Sequence, residues 1–202
     1  EPGSQVLIGN ADQQNGKVSI AGRIRAHTAI NVLGGVDSGK LELHETGQLE
    51  TIDGSINYQV GSGFELKGSL IAGGAESDVV LSTTGKLDIK GNITAQDEIR
   101  LLSNGSKLSA QLSIETHNTS RLVAGRRIEI EGLNDVLINS KIEASGEGLL
   151  ELSSRNGRLV VSENSGSIKT PGRVQMGGRE VEFHGQLEAD GSAHPVDEDF
   201  SF

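Results

Sequence analysis

Apolar side chains in this sequence fall at alternate positions in short runs, and the runs themselves come back at intervals. Residues 87–95, Leu-Asp-Ile-Lys-Gly-Asn-Ile-Thr-Ala, show the unit: every second residue is apolar or small, with Gly91 in the same phase. Such alternation dries one face of a strand, and the glycine lets the chain turn sharply midway. The unit returns at residues 18–26, 64–72 and 181–189, and at 136–144 with Ser140 in the place of the glycine. Starts separated by multiples of roughly 23 residues mark a repeat array.

Coils begin near Val18, Leu41, Phe64, Leu87, Leu112, Val136, Leu159 and Val181. Each opens with an apolar-x-apolar pair. An apolar-x-small pair follows, such as Ile24/Ala26 or Ile93/Ala95, and usually a third pair, such as Ile30/Val32 or Ile99/Leu101. Val6 and Ile8 read as the end of a coil whose opening half is missing, ahead of a polar loop at residues 9–16. Period-2 alternation between Gly, Asn and Ser turns excludes amphipathic helix, whose apolar positions would fall at i, i+3 and i+4. The repeat is too long for a hexapeptide-built left-handed helix, and neither GGxGxD motifs nor a fixed leucine-rich-repeat asparagine occur.

The predicted fold is therefore all-β: a right-handed parallel β-helix, or solenoid, of about eight coils with three short strands per coil. Coils about 4.8 Å apart would make it on the order of 40 Å long. An antiparallel sandwich is the alternative. Residues 6–189 form the repeat domain, residues 1–5 read as added residues outside the array, and 190–202 as a C-terminal cap or tail. Two coils depart from the pattern, which is where a solenoid can carry function. The Leu112 coil has extra polar residues at 116–121 between its first and second strands, and the Leu159 coil a smaller expansion at 163–165.

Composition fits a narrow aliphatic core: 34% of residues are hydrophobic, only 2% are aromatic, and there are 28 glycines against 3 prolines. The net charge of -10 argues against wrapping a nucleic-acid backbone or an anionic membrane. With no cysteine, disulfide and thiolate chemistry are excluded. No apolar run approaches a spanning helix and no signal peptide opens the sequence, so the chain is expected to be a segment of something longer.

Two clusters are candidates for chemistry. A cation precedes the first strand of many coils, usually after glycine: Lys17, Lys40, Lys86, Arg158 and Arg179. Stacked, these would make a basic edge able to meet an acidic glycan. The neighbouring outward row holds Glu42, Glu65, Asp88 and Glu182, so compensation along the ladder is the simpler expectation. The corner after the second strand collects His27, Glu76, Asp78, Asp97 and Glu98, with Arg126 and Arg127 one coil later. Carboxylates facing a cation across coils resemble the calcium-dependent pectate lyases, in which acids hold calcium and an arginine takes a proton from the sugar. Large loops to wall a cleft and a tryptophan to stack a sugar ring are both missing from the sequence, so solvated turns are the favoured reading. The histidines show no ligand spacing, His184 is expected to face outward, and Gly34-Gly35, Gly73-Gly74 and Gly177-Gly178 read as corners.

Residues 124–132, Ala-Gly-Arg-Arg-Ile-Glu-Ile-Glu-Gly, and 136–144, Val-Leu-Ile-Asn-Ser-Lys-Ile-Glu-Ala, resemble the degenerate repeats of filamentous-hemagglutinin-like exoproteins, as do residues 87–101. These are large bacterial adhesins exported by two-partner secretion, and the resemblance spans residues 6–189. It implies a rigid extracellular shaft on a Gram-negative cell, exported through an outer-membrane transporter and meeting a host or bacterial glycan or protein. The Asn-Pro-Asn-Gly and Asn-Pro-Asn-Leu motifs of that family's secretion domain do not occur, so an internal segment is implied. No enzyme activity, cofactor or metal is expected on this reading. The alternatives are a polysaccharide lyase or hydrolase, with Glu76, Asp78, Asp97 and Glu98 converging on Arg126 in a groove, and a self-assembling filament subunit of the bactofilin type.

Overall fold

The alternation of apolar and polar residues becomes three parallel sheets, each of eight strands, in a computed structural model that describes residues 3–9, 17–34, 40–61, 63–104, 112–163 and 165–189. We call them the first, second and third sheets, in the order in which Lys17–Ile20, Arg23–Ala26 and Ala29–Leu33 enter them. The chain visits the sheets in rotation, so each strand pairs with the strand three steps on. The result is a β-solenoid of about seven turns with roughly 23 residues per turn. Every pairing between described strands is parallel, which removes the antiparallel sandwich. The described residues contain no helix. The cap expected of residues 190–202 lies outside the described residues, as do residues 10–16 of the expected polar loop and Gly35.

Register carries each side chain onto its counterpart one coil away. Ile20, Leu43, Leu66 and Ile89 form one inward row of the first sheet, and Val161 and Phe183 end the same row. Ile24, Leu49, Leu70 and Ile93 form a row in the second sheet. Ile30, Ile56, Val79 and Ile99 do so in the third. In the middle coils these aliphatics are fully buried. Each such side chain contributes about 1.5–3 kcal/mol of burial, and repetition of the coil makes the core continuous. Tyr58 is the one tyrosine, buried against Phe64 with ring centroids 4.9 Å apart.

The turn from the first to the second sheet explains the glycine in the repeat. Gly47, Gly68, Gly91, Gly166 and Gly185 each precede a strand of the second sheet, and Ser120 and Ser140 hold the same place in their coils. A Cβ on Gly91 would lie 1.8 Å from the carbonyl oxygen of Gly68, and one on Gly68 would lie 2.0 Å from that of Gly47. At Gly68 and Gly91 successive coils touch backbone to backbone, so space excludes a side chain there. Ser140 is fully buried and its hydroxyl has no hydrogen-bond partner.

Polar residues also enter the core, and most are satisfied. Ser103 donates to the Gly85 carbonyl at 2.8 Å and Ser154 to that of Asn134 at 2.8 Å. Thr116 accepts from the Asn139 amide at 3.0 Å. This last bond corrects the sequence reading of the Leu112 coil. Its inward pair is Ile114 and Thr116, paired with Leu87 and Ile89, while a bulge between Leu112 and Ile114 adds one residue to the strand. The expansion expected at 116–121 is the turn from His117 to Ser120, longer than Lys90-Gly91 one coil earlier, and the Leu41 coil has a matching turn from His44 to Gly47.

Candidate functional site

The turn from the second to the third sheet stacks the acids and arginines singled out in the sequence. Asp97 and Glu98 follow Asn92–Ala95, and Arg126 occupies the equivalent turn one coil later. The Arg126 guanidinium donates to both carboxylate oxygens of Asp97, at 2.6 and 3.0 Å, and to Glu98 at 2.6 Å. Its hydrogen bonds and charge interaction with Asp97, reinforced by Glu98, push the Arg126 pKa above its already high value. The same bond holds the Asp97 carboxyl below its usual range, against a smaller upward push from burial. Asp78, one coil before Asp97, accepts the Glu98 amide at 3.1 Å. Burial raises its pKa and the Asp97 charge adds to this, opposed by the Glu98 amide and by Arg126 and Arg100.

The remaining predicted members go elsewhere. Glu76 is exposed. Arg127 begins a strand of the third sheet and bonds Glu151 at 3.2 Å, with Glu129 at 3.4 Å. His27 lies at the N-terminal end of the stack, its amide donating to Ser4 Oγ at 3.1 Å. The convergence is thus Asp97 and Glu98 on Arg126, with Asp78 beside them. Arg126 stays 60% exposed. A base must release its proton, and two carboxylates holding a guanidinium charged oppose that role.

A second charged array lies on part of the first sheet. In five of its eight coils the outward rows carry an acid, one intervening residue, then a base: Glu42 and His44, Glu65 and Lys67, Asp88 and Lys90, Glu115 and His117, Glu182 and His184; Leu137/Asn139 and Val160/Ser162 interrupt them. Lys90 reaches Glu65 at 2.7 Å and Asp88 at 3.1 Å, and Lys67 reaches Glu65 at 3.3 Å. His117 Nε2 lies 2.6 Å from Asp88 and 3.8 Å from Glu115, and Lys86 pairs with Glu115. Hydrogen bonds from Lys90 and then Lys67 hold the Glu65 carboxyl low, with burial opposing between them. Burial pushes Asp88 up, but the bonds from Lys90 and His117 outweigh it and its pKa is lowered. Asp88, Glu115 and His117 offer one donor atom each within 4.8 Å of one another, a set that could hold a divalent cation. Lys86 and Lys90 already neutralise both carboxylates, so the array is balanced with the side chains it has. The sequence reading found the acidic row and missed the basic one beside it, although the acid-x-base spacing was its signal.

The basic edge expected before the first sheet is interrupted. The position held by Lys86 and Arg158 is Gly63, Asp135 and Glu180 in other coils, and Arg179 falls one residue out of line. Arg158 is taken up by Asp135 at 3.1 Å and Glu182 at 3.6 Å, so compensation along the ladder prevails. The expansion near Glu163 flanks a groove of about 490 Å³ on the outer face of the second sheet. Lys141, Glu143, Lys169 and Glu188 line it, and Lys169 pairs with Glu188 at 2.9 Å. No protein-family model matches the chain, and no curated protein or solved structure shows significant similarity to it.

Proposed function

We propose that this chain is a segment of a large secreted bacterial surface adhesin, serving as a rigid extracellular stalk with a long outward surface for glycan or protein contact. The observation that carries this reading is the uninterrupted core. All three sheets run through every described coil, with inward aliphatic rows and outward charges paired between neighbouring coils. Backbone bonds across coils and a continuous core resist bending, while the outward rows vary without disturbing either. The repeat style resembling filamentous-hemagglutinin-like exoproteins supports the extracellular setting and export through an outer-membrane transporter. The paired state of Arg126 favours a non-catalytic role for the corner over that of a lyase.

Small-angle scattering tests the stalk: a rod-like profile, unchanged by calcium, is expected, and a flexible or expanded profile would sink it. Binding to glycan arrays and to host and bacterial cells tests the adhesive half. No signal above an inert protein control would leave a spacer alone.

A further inference from the structure

We propose that Asp88, Glu115 and His117, on the outer face of the first sheet, form a binding site for a divalent transition-metal ion of the zinc type, with water completing its coordination. Register brings the three together. Glu115 lies in the strand Leu112–Thr116, His117 follows that strand directly, and the parallel pairing sets Asp88 beside Glu115. His117 Nε2 lies 2.6 Å from Asp88 Oδ1 and 3.8 Å from Glu115 Oε1, and one donor atom from each residue falls within 4.8 Å of the others. Ligand atoms around a tetrahedral zinc are on the order of 3.3 Å apart, given bonds of about 2.0–2.1 Å, so small side-chain rotations close the set. The backbone of the histidine is fixed. Its amide donates to the Ile89 carbonyl at 2.9 Å, and its own carbonyl accepts from the Ser120 amide at 2.9 Å and the Ser120 hydroxyl at 2.7 Å. Spacing along the chain hides the site, because Asp88 arrives from 29 residues before His117.

Other coils of the same sheet show what the register must supply. Glu42 and His44, and Glu182 and His184, repeat the spacing of Glu115 and His117, but the residue beside the acid in the preceding coil is Ser19 for Glu42 and Val160 for Glu182. His44 Nε2 accordingly meets Ser19 Oγ, at 2.6 Å. Asp88, Glu115 and His117 are the one such group of metal donors among the described residues. Both carboxylates turn one oxygen toward the imidazole and the other toward a lysine, Asp88 Oδ2 to Lys90 at 3.1 Å and Glu115 Oε2 to Lys86. The lysines thus hold the outer oxygens and orient the inner ones toward the place the ion would take. Neither lysine is stranded when a cation enters. Lys90 keeps Glu65 at 2.7 Å, and Lys86, 34% exposed, turns to water. An imidazole between two carboxylates suits zinc, nickel or copper, whereas calcium and magnesium favour oxygen ligands alone.

Isothermal titration of zinc chloride into the untagged, metal-free 202-residue chain tests the inference. One zinc per chain is expected, with a melting temperature that rises with free zinc. His117→Gln should abolish binding, and Asp88→Asn and Glu115→Gln should each weaken it severalfold, all with unchanged circular dichroism spectra. His44→Gln and His184→Gln should bind as the parent chain does, and Lys86→Gln, which removes a neighbouring positive charge, should bind more tightly. Calcium chloride in place of zinc should give no comparable heat. A parent chain that takes up no zinc would overturn the proposal, as would binding that survives His117→Gln or calcium binding of equal strength. The inference does not depend on the adhesin reading, whose glycan and cell-binding tests are read separately.

Discussion

At the turn between the first and second sheets the contact between coils is made by backbone, whereas at the turn between the second and third sheets charged side chains pair across coils in addition to close backbone contacts at Gly54, Gly125 and Gly172. The first is a column of glycines, broken by Ser120 and Ser140, in which the missing Cβ atoms of Gly68 and Gly91 leave room for the carbonyl of the coil below. The second carries Asp78, Asp97, Glu98 and the exposed Arg126, which reach across coils through side-chain hydrogen bonds. The difference separates the close backbone contacts, which both turns share, from the carboxylate–guanidinium pairing that the second one adds. Changes at the packed glycines should act on stability, and changes at the charged side chains on surface properties.

The largest effect should come from Gly91→Ala, which forces a Cβ onto the Gly68 carbonyl. Urea denaturation is expected to show a loss of about 2–3 kcal/mol, since neither backbone can retreat without breaking its own ladder. An unchanged midpoint would mean that coils do not touch there. Ser140→Ala should act in the opposite direction at the same turn. It keeps the Cβ and removes a buried hydroxyl without a partner, so a gain of about 1 kcal/mol is expected in the same assay.

The charged turn should respond less, and through salt and pH. Arg126→Ala is expected to cause a small loss that fades at high ionic strength. Because Arg126 lowers the folded-state pKa of Asp97, this contribution is fully present above the unfolded carboxylate pKa. It is lost as pH falls through the lower folded value, so the variant should show a flatter acid limb in its stability profile. Equal slopes for both proteins would contradict the pairing. Asp78→Asn should give the smallest change and the opposite pH trend. A carboxyl whose folded pKa is raised contributes below its unfolded value and loses that contribution as pH rises through the folded one. The amide oxygen still accepts from Glu98, so a slight gain near neutral pH that disappears in acid is expected, read by thermal melts across pH.

The inward rows were legible in the sequence because Val, Ile and Leu at alternate positions leave no other face for a core. The Leu112 coil shows the limit of that reading. Leu112 and Ile114 look like an inward pair, but Thr116 takes the second inward place because its hydroxyl accepts the Asn139 amide, and an apolar pattern cannot reveal a satisfied polar residue. Arg179 misled for a related reason, since the Gly-Arg dipeptide recurs while the strand pairing puts Glu180 opposite Arg158. The meeting of Asp97 and Glu98 with Arg126 could be anticipated from alignment of the corners. Lys90 bridging Glu65 and Asp88 could not, because it depends on which outward rows lie side by side.

The bulge between Leu112 and Ile114 has a wider consequence. The slip it introduces is absorbed within one coil, and by Val136 to Ile138 the neighbours are in line again. An insertion or deletion therefore stays a local event, invisible a layer away. A molecule built like this can gain or lose whole layers by unequal genetic exchange and still close up, which makes its length an easily inherited variable.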